Sequence, residues 1–183
     1  MTQKTNSPAW MDYAEKIRAF QNTLCRKRTE VYAHYEEQYT GIQKEACDVE
    51  LMAAIGVDRY LLACRTVYLF GRRCIGKTSW ALEKSKFLDC FFLTSTPTNV
   101  REAFRLSACA RGRYHNRHEP NAANYIWIGT YGDLSGATKG EPIPEKKFDI
   151  IVFDDTGMTQ ESESLYKDIV HLAKPTTVVI RIE

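Results

Sequence analysis

The residues best suited to chemistry form one glycine-bounded run: Gly71, Arg72, Arg73, Cys74, Ile75, Gly76, Lys77 and Thr78, followed by Ser79. The spacing Gly-x4-Gly-Lys-Thr lets a loop turn successive backbone N–H groups onto one anion, and glycine allows the backbone to come close to it. A helix opening at the end of the loop adds its dipole. Lys77 is expected to reach the β- and γ-phosphates of a nucleoside triphosphate, and the Thr78 hydroxyl to ligate Mg²⁺. A second feature lies well downstream, where an apolar run over residues 148–153 ends in two carboxylates, Asp154 and Asp155. Asp154 is expected to hold the same Mg²⁺, directly or through water. Asp155 is expected to orient an attacking water. It is one methylene shorter than a glutamate, which implies slow hydrolysis or a partner that completes the site.

These side chains need a scaffold that ends strands at one edge. Residues 67–70, 90–94, 125–129, 148–153 and 176–182 read as five strands, each a short apolar run. Residues 79–86, 99–110 and 161–172 read as helices between them, and residues 111–124 and 139–147 as loops. Strands alternating with helices predict an α/β fold with a parallel sheet covered on both faces. Residues 9 to about 55 form a separate, helical pattern. Trp10, Tyr13, Ile17, Phe20 and Leu24 recur at three- and four-residue steps, and Val31, Tyr32 and Tyr35 continue that face. Ser7 and Pro8 suit a helix start. Gly41 is expected to break the helix, with a second helix over residues 43–54 ending at Gly56. The predicted organisation is a helical extension over residues 1–57 and a phosphate-binding domain over residues 58–183. The helices either pack on the core or offer an assembly surface, and packing is the commoner role of such a face.

Composition narrows the class. The 183 residues are 44% hydrophobic and 26% charged, with a formal net charge of +2. This is ordinary globular composition, long enough for one well-packed domain. No apolar run approaches the roughly 20 residues of a membrane span, and the polar residues 1–8 lack a signal-peptide core. Cys25, Cys47, Cys64, Cys74, Cys90 and Cys109 include no CxxC pair, so free thiols in a reducing interior are expected. That interior is a cytoplasm, or the host cell if the protein is viral. Nothing global points to nucleic acid, but Arg101, Arg105, Arg111, Arg113 and Arg117 crowd one stretch beside His115 and His118. Such a cluster serves either phosphate contact or a solvated face.

The loop and the acidic strand end together resemble the Walker A and Walker B motifs of P-loop NTPases. A further strand between them in sequence, at residues 90–94, resembles the RecA-like division of that class. Residues 92–98 resemble the strand and Pro-Thr turn of superfamily 1 and 2 helicases and viral terminases. Residues 125–130 resemble their next strand, and residues 133–136 the Leu-x-Gly before Walker B in terminase large subunits. Arg72 and Arg73 resemble the terminase loop arginine that contacts the γ-phosphate in cis. The resemblance covers residues 58–183 and implies a RecA-like, Mg²⁺-dependent ATPase that moves or remodels DNA, as in genome packaging. The choice of ATP comes from this resemblance alone. It also implies Lys77, Asp155 and Arg73 as catalytic residues, and DNA contacts at Arg105, Arg111 and Arg113. Residues 154–162 resemble helicase loaders instead, which implies a nucleotide-gated assembly module with little hydrolysis. Asp155 departs from the expected glutamate, and the strand at 176–182 lacks a Ser/Thr-rich ending. With Glu183 the last residue, no second motor domain or nuclease follows, so a fragment, an oligomer or a relative with another role is expected.

Overall fold

Five short runs of β-branched and aromatic residues form strands in this computed structural model, which describes residues 9–71, 75–111, 125–134, 143, 145–154 and 162–183. They are β1 (Thr66–Leu69), β2 (Cys90–Thr94), β3 (Ile126–Thr130), β4 (Phe148–Asp154) and β5 (Ala173–Ile182). They make one sheet in the order β1-β5-β4-β2-β3, and every neighbouring pair is parallel. A parallel sheet needs cover on both faces, which explains why β2, β3 and β4 are apolar runs rather than alternating ones. All five residues of β2 are buried.

The faces are divided between two sets of helices. On one side lie α1 (Ala9–Lys44), α4 (Lys77–Lys84) and α5 (Pro97–Arg111), packed with Val67, Leu69, Phe92, Val152 and Ile180. Trp80 anchors that layer, with Tyr35 and Tyr39 of α1 set edge-on to it at ring separations of 5.6 and 5.9 Å. Each such pair adds about 0.5–1.5 kcal/mol beyond the area it buries. On the other side lie α3 (Val57–Cys64) and α7 (Ser162–Ile169), with Leu61, Tyr166 and Ile169 against Phe91, Phe153 and Val179. The short helices α2 (Val49–Ile55) and α6 (Tyr131–Leu134) complete the set, and residues 170–172 form a 3-10 turn into β5.

One buried cation joins the layers. Arg65, 4% exposed, donates to the carbonyls of Ile42 at 2.7 Å and Thr176 at 2.8 Å. Longer bonds reach Glu45 and Thr177. The end of α1 is thereby fixed to the start of β5.

The α/β class, the parallel sheet and the five strands agree with the sequence reading, and several details correct it. Gly41 does not break α1, which runs on to Lys44; glycine inside a helix costs only about 1 kcal/mol, and the surrounding packing carries it. The following helix begins at Val49 rather than residue 43, because the Asp48 carboxylate caps it by accepting from Leu51 N–H. The sequence reading gave no helix at α3. The β2 run lies between the two motif strands in sequence, as read there; in the sheet the strand between β1 and β4 is β5, and β2 lies beyond β4. The expected helix start at Ser7 and Pro8 lies outside the described residues, as does most of the two expected loops. Among the described residues, no helix is long and apolar enough to cross a membrane. Cys47, Cys64 and Cys90 are not joined in disulfides.

Candidate functional site

Register aligns the C-terminal ends of the strands. Leu69 lies opposite Ile182, Ile182 opposite Asp154, Asp154 opposite Thr94, and Thr94 opposite Thr130. Side chains and loops leaving this edge converge, as ligand sites of parallel α/β sheets do. A cavity of about 430 Å³ opens there. Gly71 and residues 75–79 line one wall, Asn99, Glu102 and Leu106 of α5 another, and Asp154 and Glu183 the floor.

The wall carrying Gly71 is built by the chain geometry that glycine permits. Gly76, at φ 90° and ψ 26°, sits in the left-handed region and starts α4 directly. That is why α4 begins at Lys77, two residues before the predicted start. The first N–H groups of a helix have no carbonyl partner within it, so those of the first turn remain available to an anion. The Gly76 carbonyl accepts from Trp80 N–H inside the helix at 2.9 Å and from the Tyr32 hydroxyl of α1 at 2.7 Å. At the other end of the loop the Tyr35 hydroxyl donates to the carbonyl of Phe70. Burial raises the pKa of this phenol, with Tyr32 adding to the shift, so it stays a proton donor at neutral pH. Two tyrosines one helical turn apart thus hold both ends of the glycine loop.

Two motifs far apart in sequence meet at the cavity. The Thr78 hydroxyl donates to Asp154 Oδ2 at 2.8 Å across a separation of 76 residues. Lys77 Nζ donates to the carbonyl of Gly71 at 2.6 Å and to a main-chain oxygen of Glu183. A hydroxyl and a carboxylate on adjoining elements suit Mg²⁺, which takes one or two protein oxygens and fills its shell with water and phosphate. Thr94 adds to the fit: its Oγ1 is buried and has no partner among the described residues, on the strand position paired with Asp154. A buried hydroxyl in that condition belongs beside a polar group, and a hydrated cation is one. Among the described residues no cluster of three His, Cys, Asp or Glu could hold a metal by itself.

Of the residues singled out from the sequence, Gly71, Ile75, Gly76, Lys77, Thr78, Ser79 and Asp154 come together around this cavity. Arg72, Arg73, Cys74, Arg113 and Asp155 lie outside the described residues. Arg105 is exposed and paired. It makes a two-pronged pair with Glu102, at 2.9 and 2.6 Å, and this hydrogen bond holds the Glu102 carboxyl below its ordinary pKa. Arg111 is the last residue of α5. Sequence reasoning missed Asn99 and Glu102, which α5 brings to the cavity, and the hydroxyl roles of Tyr32 and Tyr35. The only signal for the tyrosines was their helical spacing, which also fits plain packing. Compared with protein-family models and with curated proteins, the chain matches none.

Proposed function

We propose that the protein is a Mg²⁺-dependent nucleoside triphosphatase of RecA-like architecture, using ATP and acting on DNA. The observation that carries the reading is the 2.8 Å bond between Thr78 and Asp154 in the lining of the cavity. It joins a hydroxyl that follows a glycine loop to a carboxylate at a strand end, the pair of oxygens that Mg²⁺ shares with β- and γ-phosphates in this chemistry. A strand lying between β1 and β4 in the sheet also supports the RecA-like division.

In this reading the loop N–H groups and the α4 N-terminus bind the phosphates. Lys77 leaves the main-chain oxygens of Gly71 and Glu183 to stabilise charge that develops on the transferred phosphoryl group. Thr78 and Asp154 hold the metal ion, which neutralises phosphate oxygens when bound. Asp155 orients the attacking water, and Arg73, with Arg72 beside it, contacts the γ-phosphate. Arg105, Arg111 and Arg113 contact DNA, which requires Arg105 to exchange Glu102 for a backbone phosphate. The motor role, by likeness to terminases and helicases, and a cytoplasmic or host-cell location belong to this same reading.

A second reading is a nucleotide-gated assembly module with little hydrolysis. The bonds from Tyr32 and Tyr35 favour it, because they link the state of the loop to α1. Steady-state ATP hydrolysis with Mg²⁺, with and without double-stranded DNA, separates the two. Turnover stimulated by DNA and abolished by Asp154→Asn supports the motor. Tight binding without turnover supports the module. Normal turnover in the Asp154→Asn protein would remove this residue from the metal site.

A further inference from the structure

A triphosphate held by this loop has a direction. Thr78 and Asp154, bonded to each other, would hold the metal ion and the terminal phosphates on the Asp154 side of the α4 N-terminus. The sugar and base would then leave on the other side, past Ser79. At that side Gly76 faces α1, and a side chain built on it would meet the Tyr32 hydroxyl and come within 3.2 Å of the Arg28 guanidinium.

A second hollow, of about 590 Å³, opens at this place between α1 and α4. Ser79 lines both it and the phosphate cavity, so the two adjoin. The hollow carries flat groups. The Arg28 guanidinium lies over the Tyr32 ring, 4.9 Å from its centroid, and Trp80 contributes to the lining from α4. Guanidinium and aromatic planes are the surfaces on which a nucleobase stacks. Thr29 and Glu83 add polar groups of the kind that bond a ribose or a base edge.

We propose that this groove between α1 and α4 binds the nucleoside half of the nucleotide, with the base against Arg28 and Tyr32. The long N-terminal helix is then one wall of the ligand site as well as a support for the loop. The inference rests on the reading that the loop binds a nucleoside triphosphate. It adds that affinity for the base is supplied by α1.

The test compares ATP with inorganic tripolyphosphate, both with Mg²⁺, by calorimetry on the full chain. Ala33→Trp fills the groove from an exposed position, and Arg28→Ala removes a stacking plane from another exposed one. Losing base stacking should weaken ATP binding roughly tenfold or more in each variant, while tripolyphosphate affinity stays within about twofold. Trp80 fluorescence should respond to ATP and not to tripolyphosphate in the wild type. Unchanged ATP affinity in both variants would overturn the inference, and so would an equal loss of both ligands, which would trace the effect to the loop. Failure of the underlying reading looks different: the wild type would bind neither ligand, or Lys77→Ala would bind both as tightly as the wild type.

Discussion

Replacing Gly76 with alanine tests how the loop is built. The residue sits at φ 90° and ψ 26°, where a left-handed backbone costs an L-residue with a Cβ about 1–2 kcal/mol. The new methyl would also collide with the Tyr32 hydroxyl, which bonds the Gly76 carbonyl at 2.7 Å. Moving that hydroxyl forfeits a hydrogen bond worth about 1 kcal/mol. The two costs act on one residue and sum to about 2–3 kcal/mol. For a chain of this size each kcal/mol lowers the midpoint of thermal unfolding by about 2–4 °C, so the expected drop is about 4–12 °C. Circular dichroism melts of both proteins measure it. The double variant Gly76→Ala with Tyr32→Phe should recover part of the loss, because the phenylalanine removes the clashing oxygen. A melting point within 1–2 °C of wild type, or no recovery in the double variant, would refute the reasoning.

Three further outcomes follow from particular contacts. Arg65→Met removes two short bonds to the carbonyls of Ile42 and Thr176, at roughly 1.5 kcal/mol each for a charged donor, so urea unfolding should show a loss of about 3 kcal/mol. A loss below 1 kcal/mol would contradict the role of Arg65 as the tie between α1 and β5. Burial, with Glu36 nearby, pushes the Tyr39 phenol from 10.0 up to about 12. A raised folded-state pKa means the folded protein holds its proton longer, so stability is full below pH 10 and declines as pH rises towards 12. Urea midpoints taken across that range measure it, and Tyr39→Phe should flatten the decline. Thr78→Ala removes the hydroxyl that bonds Asp154, and Mg²⁺ dependence of nucleotide binding should weaken by roughly 10–100-fold. Isothermal titration at varied Mg²⁺ checks this, and an unchanged dependence would take Thr78 out of the metal shell.

The parts of the molecule that could be read beforehand are those where one physical rule dominates. Strands buried on both faces must be apolar, so β2 and β4 stood out, as did the glycine spacing of the loop and the acid at the end of β4. Helix α5 was expected from residue 99 but starts at Pro97, because the Thr96 hydroxyl caps it by accepting from Asn99 N–H at 3.2 Å. Other features depend on contacts between distant segments. Helix α3 buries only Tyr60 and Leu61 over eight residues, too little periodicity to register next to a strand. Gly41 stays helical because the turns around it are held elsewhere, with Tyr39 on Trp80 and the Ile42 carbonyl on Arg65. Strand order was equally hidden, since the place of β5 between β1 and β4 follows from crossovers that leave no mark in local sequence. Tyr32 and Tyr35 were legible as one apolar face, but their hydroxyls act on carbonyls 44 and 35 residues away.

The most direct test is calorimetric titration of ATP into the full chain with and without Mg²⁺, beside Lys77→Ala and Asp154→Asn. Saturable binding by the wild type, lost in Lys77→Ala and no longer Mg²⁺-dependent in Asp154→Asn, is the predicted result. Absence of binding by the wild type, or equal binding by the Lys77→Ala protein, would contradict a triphosphate site in the cavity between Gly71 and Asp154.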